Sequence, residues 1–255
     1  MNQTTNMPVT SPKVTVVTVC WNVVKALEMT MQSVFTQTYD NIEYIVIDGA
    51  STDGSLELIE RHSDQIDYWV SEPDHGIYDA MNKAIAAATG EWIIFLNAGD
   101  TFADQDVVEK VFSSDRESSD VVYGNCIKVI DGKPVVLQPH PQRNSHRMNF
   151  SHQCVFTRTE WLKREPFDTC YKMSADFKSF KLIGLQNGVF TYVPIAIACF
   201  DTHGVSNMRR ADGLQENIRI IWEVDNWKEK LRLLPRIGFT YAMCRLRENL
   251  NHGRH

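Results

Sequence analysis

The sequence lacks the glycine-rich motifs that mark several common enzyme classes. No GxGxxG follows the first predicted strand, which argues against a dinucleotide-dependent dehydrogenase. GxxxxGKS/T and GxSxG are absent as well, which argues against a P-loop nucleotidase and an α/β-hydrolase. The chemistry must therefore come from other residues.

The chain also has little of what a membrane span or a secreted protein needs. Its longest apolar runs are about five to seven residues, whereas a spanning helix takes about twenty. The first 13 residues are polar, with no apolar signal core. The six cysteines form neither CxxC nor zinc-finger spacing, and several lie in apolar runs, which predicts buried thiols in a reducing compartment. We expect a cytoplasmic protein.

Charge is unevenly distributed along the chain. The net charge is −6, but the segment from Lys228 onward carries +5 and the residues before it −11. An acidic body makes nucleic acid an unlikely partner of the main face. The basic tail needs a separate explanation.

Apolar patterning over the first hundred residues predicts alternating strands and helices. The predicted strands are 14–20, 42–47, 68–71 and 92–96, and the predicted helices are 25–37, 55–62 and 77–88. Such alternation predicts a parallel sheet that binds ligands beyond the carboxyl ends of its strands. Polar residues follow those ends, namely Trp21-Asn22, Asp48, Glu72 to His75, and Asn97 to Asp100.

The second half is less regular. Strands are predicted over 121–136, around the turn Asp131-Gly132, and over 189–200, with helices at 175–185, 215–227 and 235–249. Residues 138–152 are polar, basic and aperiodic. A loop of this length is often functional.

The acidic residues that follow the predicted strands would lie at one edge of the sheet, and they suit a divalent cation that holds a phosphorylated ligand. Four ordered segments resemble family 2 glycosyltransferases with the GT-A fold, especially bacterial polysaccharide enzymes of the colanic-acid type. They are 18–22 (TVCWN), 47–54 (IDGASTDG), 74–83 (DHGIYDAMNK) and 90–100 (GEWIIFLNAGD). The resemblance covers residues 13–113 firmly and weakens afterwards. It implies inverting sugar transfer from a nucleotide-sugar donor, usually a UDP-sugar.

The resemblance also implies an architecture. We expect an α/β GT-A fold with a Rossmann-like, mostly parallel central sheet flanked by helices. A loose lead-in would span 1–13, the GT-A domain 14–206 and a basic helical tail 207–255. Within the domain, 14–113 would bind the nucleotide-sugar and 114–206 the acceptor.

Two acidic residues and the first motif are expected at the donor. The family counterpart of Asp48 accepts a hydrogen bond from the donor's base, although Asp48 also suits an Asx-turn. Asp53 is either a nucleotide ligand or a helix N-cap. Thr18, Trp21 and Asn22 belong to the same donor-binding edge by resemblance.

The third motif begins a predicted helix. His75 and Gly76 stand at its N-terminus, where backbone N–H groups attract phosphate. Asp79 and Lys83 lie four residues apart on one helix face. They would either face the nucleotide, as the resemblance implies, or form a helix salt bridge.

The fourth motif occupies the place of the family's DxD metal motif, with asparagine first. Asp100 is the expected direct ligand of Mn²⁺ or Mg²⁺, and Asn97 can offer a carbonyl oxygen. A late histidine binds the metal in some related enzymes, which makes His203 a second candidate.

Direct displacement requires a base for the acceptor hydroxyl. By resemblance the base is Asp176, although an acid at a helix N-terminus is also favoured by the helix dipole. His152-Gln153 is expected at the donor sugar or the acceptor.

The basic tail interleaves cations with apolar residues between Leu231 and Leu246. Such a segment can lie on an anionic membrane, although a plain solvated surface explains it equally well. The resemblance implies a saccharide or polyprenyl-linked acceptor at the cytoplasmic face of the inner membrane.

Two other functions remain open at the level of sequence. A sugar nucleotidyltransferase would normally show a glycine-rich stretch after the first strand, where this chain has Cys20-Trp-Asn-Val-Val24. A scaffold protein that kept the fold and lost catalysis is the alternative suggested by Asn97.

Overall fold

The computed structural model describes residues 11–130, 132–201 and 210–252. His203, Asp131 and most of the expected lead-in lie outside these residues. The described strands are β1 (Val14–Cys20), β2 (Ile42–Asp48), β3 (Tyr68–Ser71), β4 (Trp92–Phe95), β5 (Thr101–Phe102), β6 (Val121–Ile130), β7 (Lys133–Leu137), β8 (Val155–Arg158) and β9 (Phe190–Asp201). The described helices are α1 (Val24–Phe35), α2 (Ser55–Arg61), α3 (Ile77–Ala87), α4 (Val107–Phe112), α5 (Thr159–Arg164), α6 (Ala175–Leu185), α7 (Arg210–Val224) and α8 (Trp227–His252).

The strands form one sheet in the order β3-β2-β1-β4-β8-β6-β9-β5, with β7 paired to β6. The first four strands of this order are parallel. The direction reverses at β8, which is antiparallel to both β4 and β6. The predicted α/β class, with a mostly parallel sheet flanked by helices, is confirmed.

Strand β1 is buried on both faces because helices cover both sides of the sheet. Val14 and Val16 belong to the cluster that contains Leu27 of α1. The alternate residue Val17 belongs to the cluster that contains Met81 of α3. Side chains alternate between the faces of a strand, so each face of β1 meets a different helix.

The C-terminal helices form a hairpin. Leu214 and Ile221 of α7 pack against Leu233 and Ile237 of α8. The prediction of a helix that begins at Pro235 is wrong, because α8 begins at Trp227 and continues through the proline. Pro235 is solvent-exposed. Its missing N–H costs the helix one hydrogen bond, and the burial of Leu233 and Ile237 on either side of it offsets that loss.

The structure also adds short elements that the pattern missed, notably α4, α5, β5 and β8. They have two to six residues each, too few for a clear hydrophobic period. Among the described helices, none is long and apolar enough to cross a bilayer.

Candidate active site

The carboxyl ends of β1, β2, β3 and β4 form one edge of the sheet, and Trp21 stands exposed on it. The Trp21 side chain is 67% exposed. A Cβ on Gly49 would lie 2.6 Å from Asp74 Oδ2 and 3.4 Å from Trp21 Cδ1. Glycine at position 49 therefore lets Trp21 and Asp74 approach the turn after β2, and the indole remains available to a flat ligand.

Asn22 and Asp53 hold the loops of this edge together. The Oδ1 atom of Asn22 accepts the Thr52 N–H at 2.8 Å. Asp53 accepts the N–H of Val24 at 2.9 Å and that of Ser55 at 3.1 Å, the first residues of α1 and α2. Hydrogen bonds from the Ser55 hydroxyl and from Val24 lower the pKa of Asp53. Asp53 thus binds the first N–H group of both helices, although Gly54 is the N-cap residue of α2, and its side chain stays exposed at the edge.

Asp48 and Thr18, two of the expected donor contacts, are both fully buried. The carboxylate of Asp48 accepts the Ser51 N–H at 2.9 Å and the Ser71 hydroxyl at 2.6 Å. The Thr18 hydroxyl accepts a hydrogen bond from Tyr44 at 3.0 Å. Asp48 therefore shapes the turn after β2, as the Asx-turn alternative requires, and Thr18 belongs to the core.

The segment before α3 is fixed by its own carboxylates. Asp79 accepts the His75 N–H at 3.0 Å, and Asp74 accepts the Gly76 N–H at 2.8 Å. Gly76 has a φ of 120°, in the region that glycine tolerates. His75 and Gly76 lie at the N-terminus of α3, as expected, and Asp79 caps that terminus.

Lys83 binds Glu72 and Pro73, which follow β3, and not Asp79. Its ammonium lies 2.8 Å from Glu72 Oε1 and donates to the Pro73 carbonyl at 3.0 Å. The i,i+4 salt bridge is therefore replaced by contacts that hold Glu72 and Pro73 against α3.

The turn Asn97–Asp100 follows β4 and lies at the β4 side of this edge. The Thr30 hydroxyl of α1 donates to the Asp100 carbonyl at 2.7 Å and accepts the Gly99 N–H at 2.9 Å. Gly99 has a φ of 105°. Burial raises the pKa of Asp100 to about 6, while His152, Gln153 and the Asn97 backbone act to lower it.

His152 and Gln153 link the two carboxylates that the sequence singled out. Gln153 and His152 lie close enough to the Asp100 carboxylate to lower its pKa. Nδ1 of His152 lies 3.4 Å from Oδ2 of Asp176, and these two side chains are 29% and 14% exposed. The structure thus brings Asp100, His152, Gln153 and Asp176 together from three separate segments.

Sequence reasoning missed Tyr78, which contacts the expected base directly. Its hydroxyl donates to Oδ1 of Asp176 at 2.9 Å. Burial and the adjacent Asp176 raise the pKa of Tyr78, so the phenol stays protonated and donates. Tyr78 lies within the third motif beside Asp79, which is the signal that could have revealed it.

The residues of the Asn97–Asp100 turn fit a divalent cation. Oδ1 of Asn97 is buried without a hydrogen-bond partner, and Asp100 is a desolvated carboxylate. Both supply oxygen, the ligand that Mg²⁺ and Mn²⁺ prefer. Among the described residues no group of three or more His, Cys, Asp or Glu could hold a metal. Phosphate oxygens and water would have to complete the shell.

Comparison with known proteins relates this chain to glycosyltransferases. The family model for glycosyl transferase family 2 matches residues 15–181. An uncharacterized glycosyltransferase of Mycobacterium tuberculosis is 31% identical over 221 residues, covering 82% of each chain. A PGL/p-HBAD biosynthesis glycosyltransferase of Mycobacterium bovis is 27% identical over 248 residues, covering 93% of this chain and 91% of the relative.

Solved structures share the fold. The S. aureus TarS fragment 1–349 in complex with UDP superposes with a TM-score of 0.65 at 20% identity, over 84% of this chain and 67% of that one. The mannosyltransferase PcManGT of Pyrobaculum calidifontis, in complex with GDP-Man and Mn²⁺, gives 0.64 at 19% identity, over 83% and 64%. The matched family model and the relative at 31% identity establish that this chain belongs to glycosyl transferase family 2.

Proposed function

We propose that this enzyme transfers a sugar, with inversion, from a UDP-sugar to a saccharide or lipid-linked saccharide in bacterial surface polysaccharide biosynthesis. One observation carries the proposal: the adjacent residues His152 and Gln153 lie beside Asp176 on one side and Asp100 on the other. The relatives named for PGL/p-HBAD biosynthesis and the UDP complex of the structural neighbour support a biosynthetic, nucleotide-dependent reaction.

The reaction follows from the surroundings of Asp176. Its carboxylate takes the proton of the acceptor hydroxyl as that oxygen attacks the anomeric carbon, and the bond to the donor phosphate breaks. Attack from the face opposite the leaving nucleoside diphosphate inverts the anomeric centre. Tyr78 and His152 orient the carboxylate through Oδ1 and Oδ2.

The rest of the edge would bind the donor. Exposed Trp21 offers an aromatic face to the base. The N–H groups of His75 and Gly76 already donate to Asp79 and Asp74, so we assign the diphosphate to the metal ion and not to these two groups. Asn97 and Asp100 would hold Mn²⁺ or Mg²⁺, which offsets charge on the departing diphosphate.

A thermal-shift panel of UDP, GDP and dTDP with Mn²⁺ tests this proposal. We expect UDP with Mn²⁺ to stabilise the protein by about 2.7 kcal/mol at a hundredfold excess over Kd. The shift should vanish with a chelator, which removes the metal, and in Asp100→Ala, which removes the charged ligand that would hold it, because in both cases no cation is left to bind the diphosphate.

Asp40→Ala is the matched control, since Asp40 is exposed and precedes β2, at the opposite edge of the sheet. It should keep the full UDP shift. An equal UDP shift with and without metal would contradict the metal site, and no shift with any nucleotide would contradict the donor class.

We also propose peripheral attachment to the cytoplasmic face of the membrane through α8. Leu231, Phe239 and Leu246 are 69%, 71% and 56% exposed on this helix. Arg236 and Arg247 are exposed beside them. Each cation near an anionic bilayer contributes about 1 kcal/mol, and the apolar side chains add burial in the interface.

The paired substitution Phe239→Ser and Leu246→Ser should weaken binding to phosphatidylglycerol vesicles by about tenfold or more, because two apolar side chains no longer enter the interface. Vesicle sedimentation measures the effect. Truncation is a poorer test, because Leu233 and Ile237 of the same helix are core residues.

Met29→Ser is the control, because Met29 is 57% exposed on α1. It should bind vesicles as the unmodified protein does. Unchanged binding of the paired variant would refute attachment through α8.

A further inference from the structure

A cavity of about 490 Å³ lies outside the catalytic cluster, between residues 141–150 and α6. We call it the loop cavity. Its volume falls in the range of about 300–1,000 Å³ that is typical of small-molecule sites. None of the residues that we propose to bind the donor, at the carboxyl ends of β1, β2, β3 and β4, lines this cavity.

One wall of the loop cavity is aromatic. Tyr123, Phe150 and Phe180 are each less than a tenth exposed, and Phe177 and Phe190 complete the wall. The ring centroids of Tyr123 and Phe150 are 4.9 Å apart, and those of Phe150 and Phe180 are 5.2 Å apart. Contacts of this kind make the wall rigid, so it presents a preformed apolar surface.

The other wall carries uncompensated positive charge. Arg143 and Arg147 line the cavity and are exposed, and neither pairs with a carboxylate in the part of the chain that the structure describes. Burial lowers the pKa of the adjacent His146, and Arg147, Arg236 and Arg143 lower it further. In a protein of net charge −6, these arginines give the loop a local excess of positive charge.

The loop is anchored, so the cavity persists without a ligand. Asn144 donates to Asp225 at 2.7 Å and accepts from Lys181. Asn149 donates to Oε1 of Gln142 at 2.9 Å. The first two bonds tie the middle of the segment to Asp225 and α6, and the third joins its two ends, while none of them uses the side chain of Arg143 or Arg147.

The cavity adjoins the proposed base. Phe180 lines both the loop cavity and the small cleft that contains His152 and Asp176. Phe177 follows Asp176 directly on α6. A molecule in the loop cavity would therefore lie next to the proposed base.

We propose that the loop cavity binds the acceptor, and that this acceptor carries a phosphate next to an apolar or ring-shaped body. Arg143 and Arg147 hold the phosphate with charge-assisted hydrogen bonds, and the aromatic wall takes the body. Identifying the ligand as the acceptor rests on the proposed glycosyl transfer; the binding site itself does not.

Calorimetric titration of the full chain with monomeric dodecyl phosphate tests the site. Dodecyl glucoside and inorganic phosphate serve as probes with only one of the two features. Dodecyl phosphate should bind more tightly than either. Arg143→Ala combined with Arg147→Ala should weaken its binding by about tenfold or more.

Gly184→Leu fills the cavity without changing its charge. A Cβ at position 184 would face Gln142 Nε2 at 3.4 Å and Phe190 Cε2 at 3.8 Å, and leucine favours the helix more than glycine does. This variant should keep its melting temperature and lose dodecyl phosphate binding. Arg61→Ala combined with Lys133→Ala is the charge-matched control and should bind normally.

Three results would overturn the proposal. If inorganic phosphate bound as tightly as dodecyl phosphate, the aromatic wall of the cavity would contribute nothing to binding. Unchanged binding in both the arginine pair and Gly184→Leu would place the ligand elsewhere. Loss of binding in Phe239→Ser with Leu246→Ser, but not in Gly184→Leu, would place it on α8.

A sedimentation experiment with vesicles distinguishes binding to a lipid bilayer from binding of a soluble amphiphile. Gly184→Leu should still sediment with phosphatidylglycerol vesicles, because α8 is intact. Failure of the UDP and Mn²⁺ shift would count against glycosyl transfer while leaving this binding result standing, so the two failures are distinguishable.

Discussion

Replacing Asp176 by asparagine should lower kcat for sugar transfer by about 10²–10⁴-fold, the usual contribution of a general base. Asparagine has the same shape and can still accept the Tyr78 hydroxyl that lies 2.9 Å from Oδ1. It cannot accept the acceptor's proton. The Kd for the UDP-sugar should therefore stay unchanged while turnover falls, which single-turnover kinetics and calorimetry measure separately.

The control addresses the helix-dipole explanation of Asp176. Glu160 is likewise an acid in the first turn of a helix, α5, and is exposed. Glu160→Gln should leave kcat unchanged. Transfer at the full rate by Asp176→Asn would show that another group is the base, and lack of turnover in the unmodified protein with every donor would favour the scaffold alternative.

Asp225→Ala should reduce the free energy of unfolding by about 3–5 kcal/mol, the cost of leaving a buried charge without its partner. Nζ of Lys181 lies 2.8 Å from Oδ2 of Asp225, and these side chains are 3% and 0% exposed. Burial already lowers the pKa of Lys181, against the opposing effect of Asp225. Removing the carboxylate also takes away an acceptor of Asn144. Urea denaturation measures the loss.

Two comparisons make this stability test specific. Lys181→Met combined with Asp225→Leu removes both charges and should recover most of the loss, since apolar replacements of buried pairs are often neutral. Lys110→Ala breaks an exposed pair with Asp106 and should barely move the urea midpoint. A negligible effect of Asp225→Ala would mean that water reaches Lys181.

Local patterns indicated where in the fold Asp100 and Asp176, the proposed metal ligand and the proposed base, would lie. Asp100 follows a short buried strand, and Asp176 opens a helix. Strand periodicity and a capping position are encoded in neighbouring residues, which is why both could be placed. Tyr78 could not, because its contact with Asp176 joins α3 to α6 across the molecule.

Local patterns did not determine which of several possible hydrogen-bond partners a residue takes. Asp48 has the right position at the end of β2, but Ser51 and Ser71 occupy its oxygens. Lys83 stands four residues after Asp79, yet it pairs with Glu72. Spacing shows which partners are within reach, whereas packing decides which of them is taken.

The sequence by itself determined that strands and helices alternate, and hence that the ends of β1, β2, β3 and β4 meet at one edge. Alternation and apolar runs are properties of neighbouring residues, and parallel pairing follows from them. Only the tertiary structure decided that His152 and Gln153 connect Asp100 to Asp176, and that the basic loop closes a cavity over α6. Those contacts depend on how distant segments pack, and hydrophobic periodicity does not encode that packing.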